Sequence, residues 1–422
     1  LLAAFSVAPV TADTATVEIS VTDTAGNPMA RAMITRTPLD APAADLSDDG
    51  YTPHGVTNIA PTTLTRFTDE AGRVTFPAAR GRVLYRARAQ GHVDVQFSEP
   101  SEPVAMQPMT PEQHIASYPS NVWLSQLDFG GDEALKKRFQ LNCAFCHQQA
   151  SPFMRNERTQ EQWINVIERM NGYGARLPQD DHQRVAQLLQ EEYRELRETP
   201  QQGPLPRPWE EHLSGLEMTE WPIGDGFSHM HDFLLHPNGF IYIGDNLFDR
   251  IYELDPETGA YTVYKVPHEE GARLGGILGN RFTVFPKMHN YMGVHSFAYS
   301  KQDGNIFITP SMQQALLEFD VESKEFTVHD MPEGYYPHTI RTDAQDRVWF
   351  TNALSSQVAM FDREREEFSF YDLPARGLKE WLVLKSLPLA FSFDPENRPT
   401  PAPDRESTGL PMPYGIDVAP DG

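Results

Sequence analysis

The stretch PHTIRTDAQDRVWFTNALSSQVAMFDREREEFSFYDLP, residues 337–374, decides the fold of the longest part of the chain. Short runs of alternating apolar and polar residues are separated in it by turns rich in Asp, Asn and Ser. Segments that begin at His231 and His295 repeat its order of a leading His, a short apolar strand and a Leu-Asp or Phe-Asp pair. The interval from His to Asp is 24, 25 and 24 residues. A fixed repeat of short strands is typical of β-propeller blades.

The repeat predicts about three blades in residues 211–422, and Tyr414-Gly415-Ile416-Asp417 opens a fourth copy. Spacings of 64 and 43 residues between copies predict long insertions on one face, notably residues 265–292. Propellers typically have four to eight blades. We therefore expect the printed chain to be a fragment of a larger propeller, because an open arc would leave unpaired strand edges.

These blade motifs resemble the streptogramin (virginiamycin B) lyase-like propeller family over about residues 215–422. The resemblance implies a seven-bladed propeller. It also implies, for lyase members, a His-centred acid/base site with a magnesium ion on the propeller axis. Many relatives in that family are not lyases, so the resemblance speaks for the fold more than for the activity.

The leading histidines His231, His295 and His338 are the candidate catalytic residues. Equivalent positions on the innermost strands of a propeller converge on its axis, so three imidazoles are expected to face one channel. His229 and His289 lie close enough in sequence to join them. Such a group suits copper or another divalent metal, or a general base near neutral pH. The alternative is a structural role, in which each His bonds to the backbone of a neighbouring blade.

A second motif, Cys143-Ala144-Phe145-Cys146-His147, contains the only two cysteines of the chain. CxxCH is the signature of covalent haem c attachment. Cys143 and Cys146 bond to the porphyrin vinyl groups, and His147 is then the proximal iron ligand. A thioredoxin-like redox pair is the alternative, but that motif requires a βαβ setting, whereas the flanks here are helical.

The distal iron ligand is expected downstream of the motif. Residues 160–172 have apolar side chains at i, i+3, i+4 and i+7, which predicts a helix with Met170 on its apolar face. We expect Met170 to be the distal ligand. Met154 is the competing methionine, and His182 or His114 would serve if the ligand is a histidine.

A predicted helix leads into CxxCH, a second helix contains a Trp and Met170, and an amphipathic helix comes last. This order resembles a small class I-like cytochrome c domain, about residues 110–200. This chain departs from the family in the short separation between His147 and Met170.

Upstream, residues 14–105 alternate with period two and predict an antiparallel sandwich of about seven strands. The segments VTDTAGNPMARAMI and FTDEAGRVTFP resemble the carboxypeptidase regulatory-like (transthyretin-like) domain, and we expect a structural or interaction role for it.

The whole chain of 422 residues thus predicts a mainly β, multidomain protein: sandwich, all-α cytochrome unit, Pro-rich linker at residues 201–210, and incomplete propeller. Its net charge of −24 disfavours binding to nucleic acid or anionic lipid. The sequence contains no apolar run of ~18 residues, so an integral membrane protein is not expected. Residues 1–13 look like the remnant of a secretory signal peptide, which together with haem c predicts a periplasmic or otherwise exported protein.

Haem c beside a His-lined propeller predicts an oxidoreductase or electron-transfer protein. Electrons from an unidentified small-molecule substrate would pass from the propeller site to the haem. The haem would pass them to a redox partner such as a small cytochrome or another electron carrier. A lyase with an accessory haem domain is the first alternative. A non-catalytic electron-transfer or binding protein is the second.

Overall fold

The computed structural model describes residues 15–40, 44–46, 54–79, 81–100, 102–144, 149–151, 154–172, 175, 177–199, 209–226, 228–279, 289–393 and 413–419. The predicted signal-peptide remnant, residues 1–13, lies outside this part, as does most of the predicted linker. Among the described residues, no helix is long and apolar enough to cross a bilayer. These residues are mainly β, with five sheets and few helices, as the sequence predicts.

Eight strands of the described chain precede the first helix. They are β1 (Thr16–Asp23), β2 (Met33–Pro38), β3 (Val56–Ile59), β4 (Thr63–Phe67), β5 (Arg73–Pro77), β6 (Val83–Arg88), β7 (Val95–Phe97) and β8 (Val104–Met106). Seven of them form two sheets, in the orders β5-β1-β8 and β7-β6-β2-β4. Alternation along β1 buries Ile19 and Val21 in one core with Ile34 and Tyr85 of the other sheet. The two sheets therefore share a hydrophobic core.

Strand β3 leaves this unit and joins the first propeller blade, whose outermost strand is β13 (Ala260–Lys265). Asn58 is opposite Tyr261, and the hydroxyls of Thr57 and Thr262 are 2.9 Å apart. In return, β9 (Glu217–Glu220) pairs with β4 of the N-terminal unit. This exchange of strands was not predicted from the sequence. It covers the outer edge of the first blade, which would otherwise present unpaired backbone groups.

Five helices lie between the two exchanged strands. They are α1 (Pro111–Ala116), α2 (Ser120–Ser125), α3 (Glu133–Cys143), α4 (Gln160–Gly172) and α5 (Gln179–Glu198). Helix α4 has the predicted bounds. The side chain of Asp132 caps α3 by accepting a hydrogen bond from the Leu135 N–H at 2.9 Å. Trp123, Trp163 and Tyr193 are buried in the shared core. The resemblance of this unit to cytochrome c stays a prediction.

Three antiparallel sheets follow, each with four strands in chain order, and the first of them also includes β3. The first contains β10 (Met230–Leu235), β11 (Ile241–Asp245), β12 (Arg250–Leu254) and β13. The second contains β14 (Val294–Tyr299), β15 (Ile306–Pro310), β16 (Ala315–Phe319) and β17 (Phe326–Asp330). The third contains β18 (Pro337–Thr342), β19 (Val348–Asn352), β20 (Gln357–Asp362) and β21 (Glu367–Asp372). These are the three predicted blades.

The repeated Asp has the same function in every blade. Asp255, Asp320 and Asp362 each accept, through Oδ1, a hydrogen bond from the backbone N–H two residues later, at 2.9, 2.9 and 3.1 Å. Such Asx turns fix the tight connection to the outermost strand. The interval between His and Asp therefore reports a local turn, which explains why it is so constant.

Ion pairs connect the outer parts of neighbouring blades. Lys324 of the second blade contacts Glu253 of the first at 2.6 Å, and Arg363 of the third contacts Glu318 of the second at 3.0 Å. The two acidic residues hold equivalent positions on the third strand of their blades. A repeated contact of this kind fixes the angle between consecutive sheets.

Helix α6 (Leu378–Ser392) follows the third blade and was not predicted. Lys385 Nζ contacts Asp372 at 2.7 Å, and the Phe391 ring stacks on Tyr335 at a centroid distance of 4.1 Å. The helix therefore lies on the face where the blade strands β17 and β21 end.

Candidate functional site

A cavity of about 150 Å³ lies between α3, α4 and α5. Cys143, at the end of α3, lines it together with Met154 and Met170. Most of the remaining wall is apolar and includes Phe139, Trp163 and Ile167. The structure thus brings together three of the sulfur-bearing side chains that the haem hypothesis invokes. Cys146 and His147 lie outside the described residues.

The chemistry of this wall fits a covalently attached haem. It offers a thiol for attachment, two thioether sulfurs that can ligate iron, and aromatic side chains that exclude water from a porphyrin. Its volume is smaller than the ~300–1,000 Å³ of ordinary cofactor pockets. Haem binding therefore requires α3 and α4 to move apart, or leaves part of the porphyrin outside the cavity.

The two alternative histidine ligands do not line the cavity. His182 is buried, and its Nε2 is 3.1 Å from the Leu177 carbonyl oxygen and 2.9 Å from Asn171 Nδ2. His114 packs edge-on against Tyr118 at a centroid distance of 5.0 Å. The geometry therefore favours a methionine as distal ligand, and Met170 and Met154 both remain candidates.

The propeller contains a second candidate site, a row of closely spaced rings that are tilted by 43–50° to one another. His231, His295 and His338 are each the second residue of the innermost strand of their blade. The ring centroids of His231 and His295 are 3.8 Å apart, and those of His295 and His338 are 3.9 Å apart. Tyr414 continues the row at 3.9 Å from His338. We call these four residues the axial row.

The position of Tyr414 follows from the repeat, although its role was not predicted. Pro413-Tyr414-Gly415-Ile416 aligns with Pro337-His338-Thr339-Ile340, so Tyr414 occupies the position of the leading His. The Thr339 hydroxyl donates to the Tyr414 carbonyl oxygen at 2.8 Å and secures this segment against the third blade. A phenol therefore ends a row of imidazoles.

Two ring nitrogens of the axial row are buried without a hydrogen-bond partner among the described residues, His295 Nδ1 and His338 Nε2. In contrast, His231 Nδ1 is 3.1 Å from the His295 carbonyl oxygen. His338 Nδ1 is 3.1 Å from the Thr339 hydroxyl. Buried polar atoms are seldom left unsatisfied, so these two nitrogens are candidates to contact a ligand.

Burial makes the inner histidines hard to protonate. It lowers the pKa of His295 to about 2, with further lowering by His338 and His231. The pKa of His338 is lowered to about 4, mainly by burial and then by His231. Tyr336, whose ring is 6.0 Å from His295 and 5.8 Å from His338, has its pKa raised to about 12 by burial. At neutral pH this site holds neutral imidazoles and a protonated phenol.

The five histidines proposed as ligands of a second metal do not gather into one cluster. His289 is exposed and stacks on Phe248 at 6.3 Å, and His229 is exposed as well. No group of three or more His, Cys, Asp or Glu side chains in the described part of the chain is arranged to hold a metal ion. A propeller metal stays a prediction.

Asp249 positions the strand that carries His295. Its buried carboxylate accepts hydrogen bonds from the backbone N–H groups of Met292 at 3.0 Å and Gly293 at 2.6 Å. Burial nevertheless raises the pKa of this carboxyl to about 6. The contact joins the base of the first insertion to the beginning of β14. The sequence gives no local signal for it.

Comparison with known proteins yields likeness in structure only. No family model matches the chain, and no curated protein matches it. A virginiamycin B lyase from Staphylococcus aureus is 15% identical, with 38% of this chain and 47% of that chain covered at a TM-score of 0.31. A streptogramin B lyase is 18% identical, covering 37% and 59% at 0.24. Kuenenia stuttgartiensis hydrazine synthase is 10% identical, covering 35% and 36% at 0.27. The matched segment spans about half the length of the two lyases.

Proposed function

We propose that this chain is an exported haem c protein that transfers single electrons between a small-molecule substrate and a redox partner. The observation that carries the proposal is the cavity wall shared by Cys143, Met154 and Met170. The CxxCH motif that begins with Cys143 supports it from the sequence. The net charge of −24 favours docking with a basic carrier, such as a small basic cytochrome.

Residues of the CxxCH motif and of the cavity wall have defined parts in this proposal. Cys143 and Cys146 would attach the haem, and His147 and Met170 would ligate its iron. Phe139 and Trp163 exclude water from it. A bound haem would supply one-electron redox chemistry. The axial row is the proposed place of substrate oxidation, where His295 Nδ1 and His338 Nε2 would contact the substrate.

The test is elemental analysis of the full chain, produced together with haem-maturation machinery. We expect one iron per chain, and an increase in intact mass by one haem that persists in denaturant. Stoichiometric copper would add a redox metal at the axial row. A chain without iron would contradict the proposal.

The two cavity methionines make a matched pair of variants. We expect Met170→Ala to remove the sulfur-to-iron charge-transfer absorption and to lower the reduction potential, because a Met ligand raises it. Met154→Ala, a change of the same size in the same wall, is expected to leave both unchanged. Visible spectra and potentiometric titration of the two variants measure this. The reverse pattern would assign the iron ligand to Met154.

A second candidate function, a lyase, is favoured by the unpartnered nitrogens of His295 and His338. A neutral buried imidazole can accept a hydrogen bond from a substrate and guide a proton during bond cleavage. A streptogramin B is the appropriate probe. Cleavage without any electron acceptor, lost in His338→Ala and retained in the exposed variant His289→Ala, would establish the lyase. An intact probe after prolonged incubation would exclude this substrate class.

A further inference from the structure

A cleft of about 780 Å³ separates the N-terminal sheets from helices α1 and α2. It is distinct from both the haem cavity and the axial row. Met33 and Met109 line it on the side of the sheets, Val122 lines it from α2, and Trp209 closes one end. Trp209 is itself fixed by an edge-on contact with Phe67 at 5.5 Å. The volume is within the ~300–1,000 Å³ typical of small-molecule sites.

The charge of this cleft differs from that of the whole protein. The chain contains 59 acidic and 35 basic residues, yet no Asp or Glu is among the described residues that line the cleft. Its charged or titratable side chains there are Arg88, His114 and Tyr118. The net negative charge of the protein repels anions, whereas Arg88 attracts an anion to this cleft.

Arg88 is incompletely satisfied by its surroundings. Its Nη2 donates a hydrogen bond to the Thr35 hydroxyl at 2.9 Å, which fixes the direction of the guanidinium. Its Nε is buried and has no hydrogen-bond partner within the described residues. A guanidinium has five N–H donors in a planar fork, and the Thr35 hydroxyl accepts from only one of them, so donors of Arg88 remain for a carboxylate.

We propose that this cleft binds a monocarboxylate with a long apolar chain, as in a fatty acid. The carboxylate would accept hydrogen bonds from Arg88, and the chain would lie along Met33, Met109 and Val122. Methionine side chains adapt to a flexible apolar ligand better than branched ones. This proposal does not depend on the haem or on the axial row.

Titration calorimetry of the full chain with decanoate, after removal of bound lipid, tests the proposal. We expect one decanoate per chain, and affinity reduced about tenfold in Arg88→Met, because a charge-assisted hydrogen bond is lost. Arg86→Met is the matched control, since Arg86 lies two residues away on β6, is exposed and contacts Asp94 instead. Decan-1-ol, which lacks the charge, is expected to bind about tenfold more weakly than decanoate.

A second variant keeps the test independent of Arg88. Val122→Trp places a large side chain in the cleft and is expected to abolish decanoate binding, with circular dichroism unchanged. Equal affinity of the wild-type protein and Arg88→Met, or decanoate binding retained in Val122→Trp, would overturn the proposal. Iron content is measured in every variant, so that a failure of haem attachment is recognised separately.

Discussion

Replacing both Cys143 and Cys146 with alanine is expected to abolish covalent haem attachment completely. The chain contains no other cysteine, so no thiol remains to bond the porphyrin. The intact mass in denaturant should equal that of the polypeptide alone, and haem staining after denaturing electrophoresis should be negative. The effect is all-or-none because thioether bonds survive denaturation, whereas axial ligation does not.

The single variant Cys143→Ala separates attachment from folding of the helical unit. Cys143 is partly buried against the helical core, so alanine creates only a small loss of packing there. Circular dichroism should remain close to that of the wild-type protein, while the haem is held by one thioether at most. Wild-type chain produced without maturation machinery is the control, and haem that remains covalent in the double variant would refute the assignment of the motif.

Acidification from pH 6.5 to pH 5 is expected to destabilise the propeller by about 3 kcal/mol through His295 and His338. Both have a pKa in the folded protein well below 6.5, about 2 and about 4. In this pH range the unfolded chain therefore binds protons that the folded chain does not, so stability is lost as pH falls below 6.5. An unfolded histidine is half protonated at pH 6.5 and almost fully protonated at pH 5, which costs about 1.6 kcal/mol for each of the two residues and gives this figure.

The variant His295→Phe identifies the origin of the effect. It retains a buried ring without a titrating group, so about half of the loss between pH 6.5 and pH 5 should disappear. The exposed residue His289 provides the matched control, since His289→Phe should retain the full loss. Denaturant unfolding at several pH values measures the difference between the variants, and carboxyl titration elsewhere cancels in that comparison. Equal slopes for all three proteins would show that His295 titrates normally.

The features that were predicted from sequence are those encoded by neighbouring residues. Strand alternation and the Asx turns at Asp255, Asp320 and Asp362 act within a few residues, and the blades follow from them. Helix α4 follows from the spacing of Trp163, Val166, Ile167 and Met170. Placement of the leading histidines on innermost strands is a further consequence of the repeat.

The features that escaped prediction depend on contacts between distant segments. Thr57 and Thr262 are 205 positions apart. Neither segment contains a sequence pattern that predicts the other as its partner strand. The close, tilted arrangement of the rings in the axial row depends on how each ring packs in its blade. The absence of carboxylates around Arg88 likewise appears only when the described parts of the sheets and helices are assembled.

The exchange of strands between the N-terminal unit and the first blade also sets an order of events during synthesis. At roughly 5–20 residues per second, about 10–40 s elapse between the emergence of Thr57 from the ribosome and that of Thr262. During this interval β3 has no partner strand, and β4 lacks β9 for most of it. Pairing across such distances is slow. The edges of β3 and β4 therefore stay without these partners until the first blade has been made.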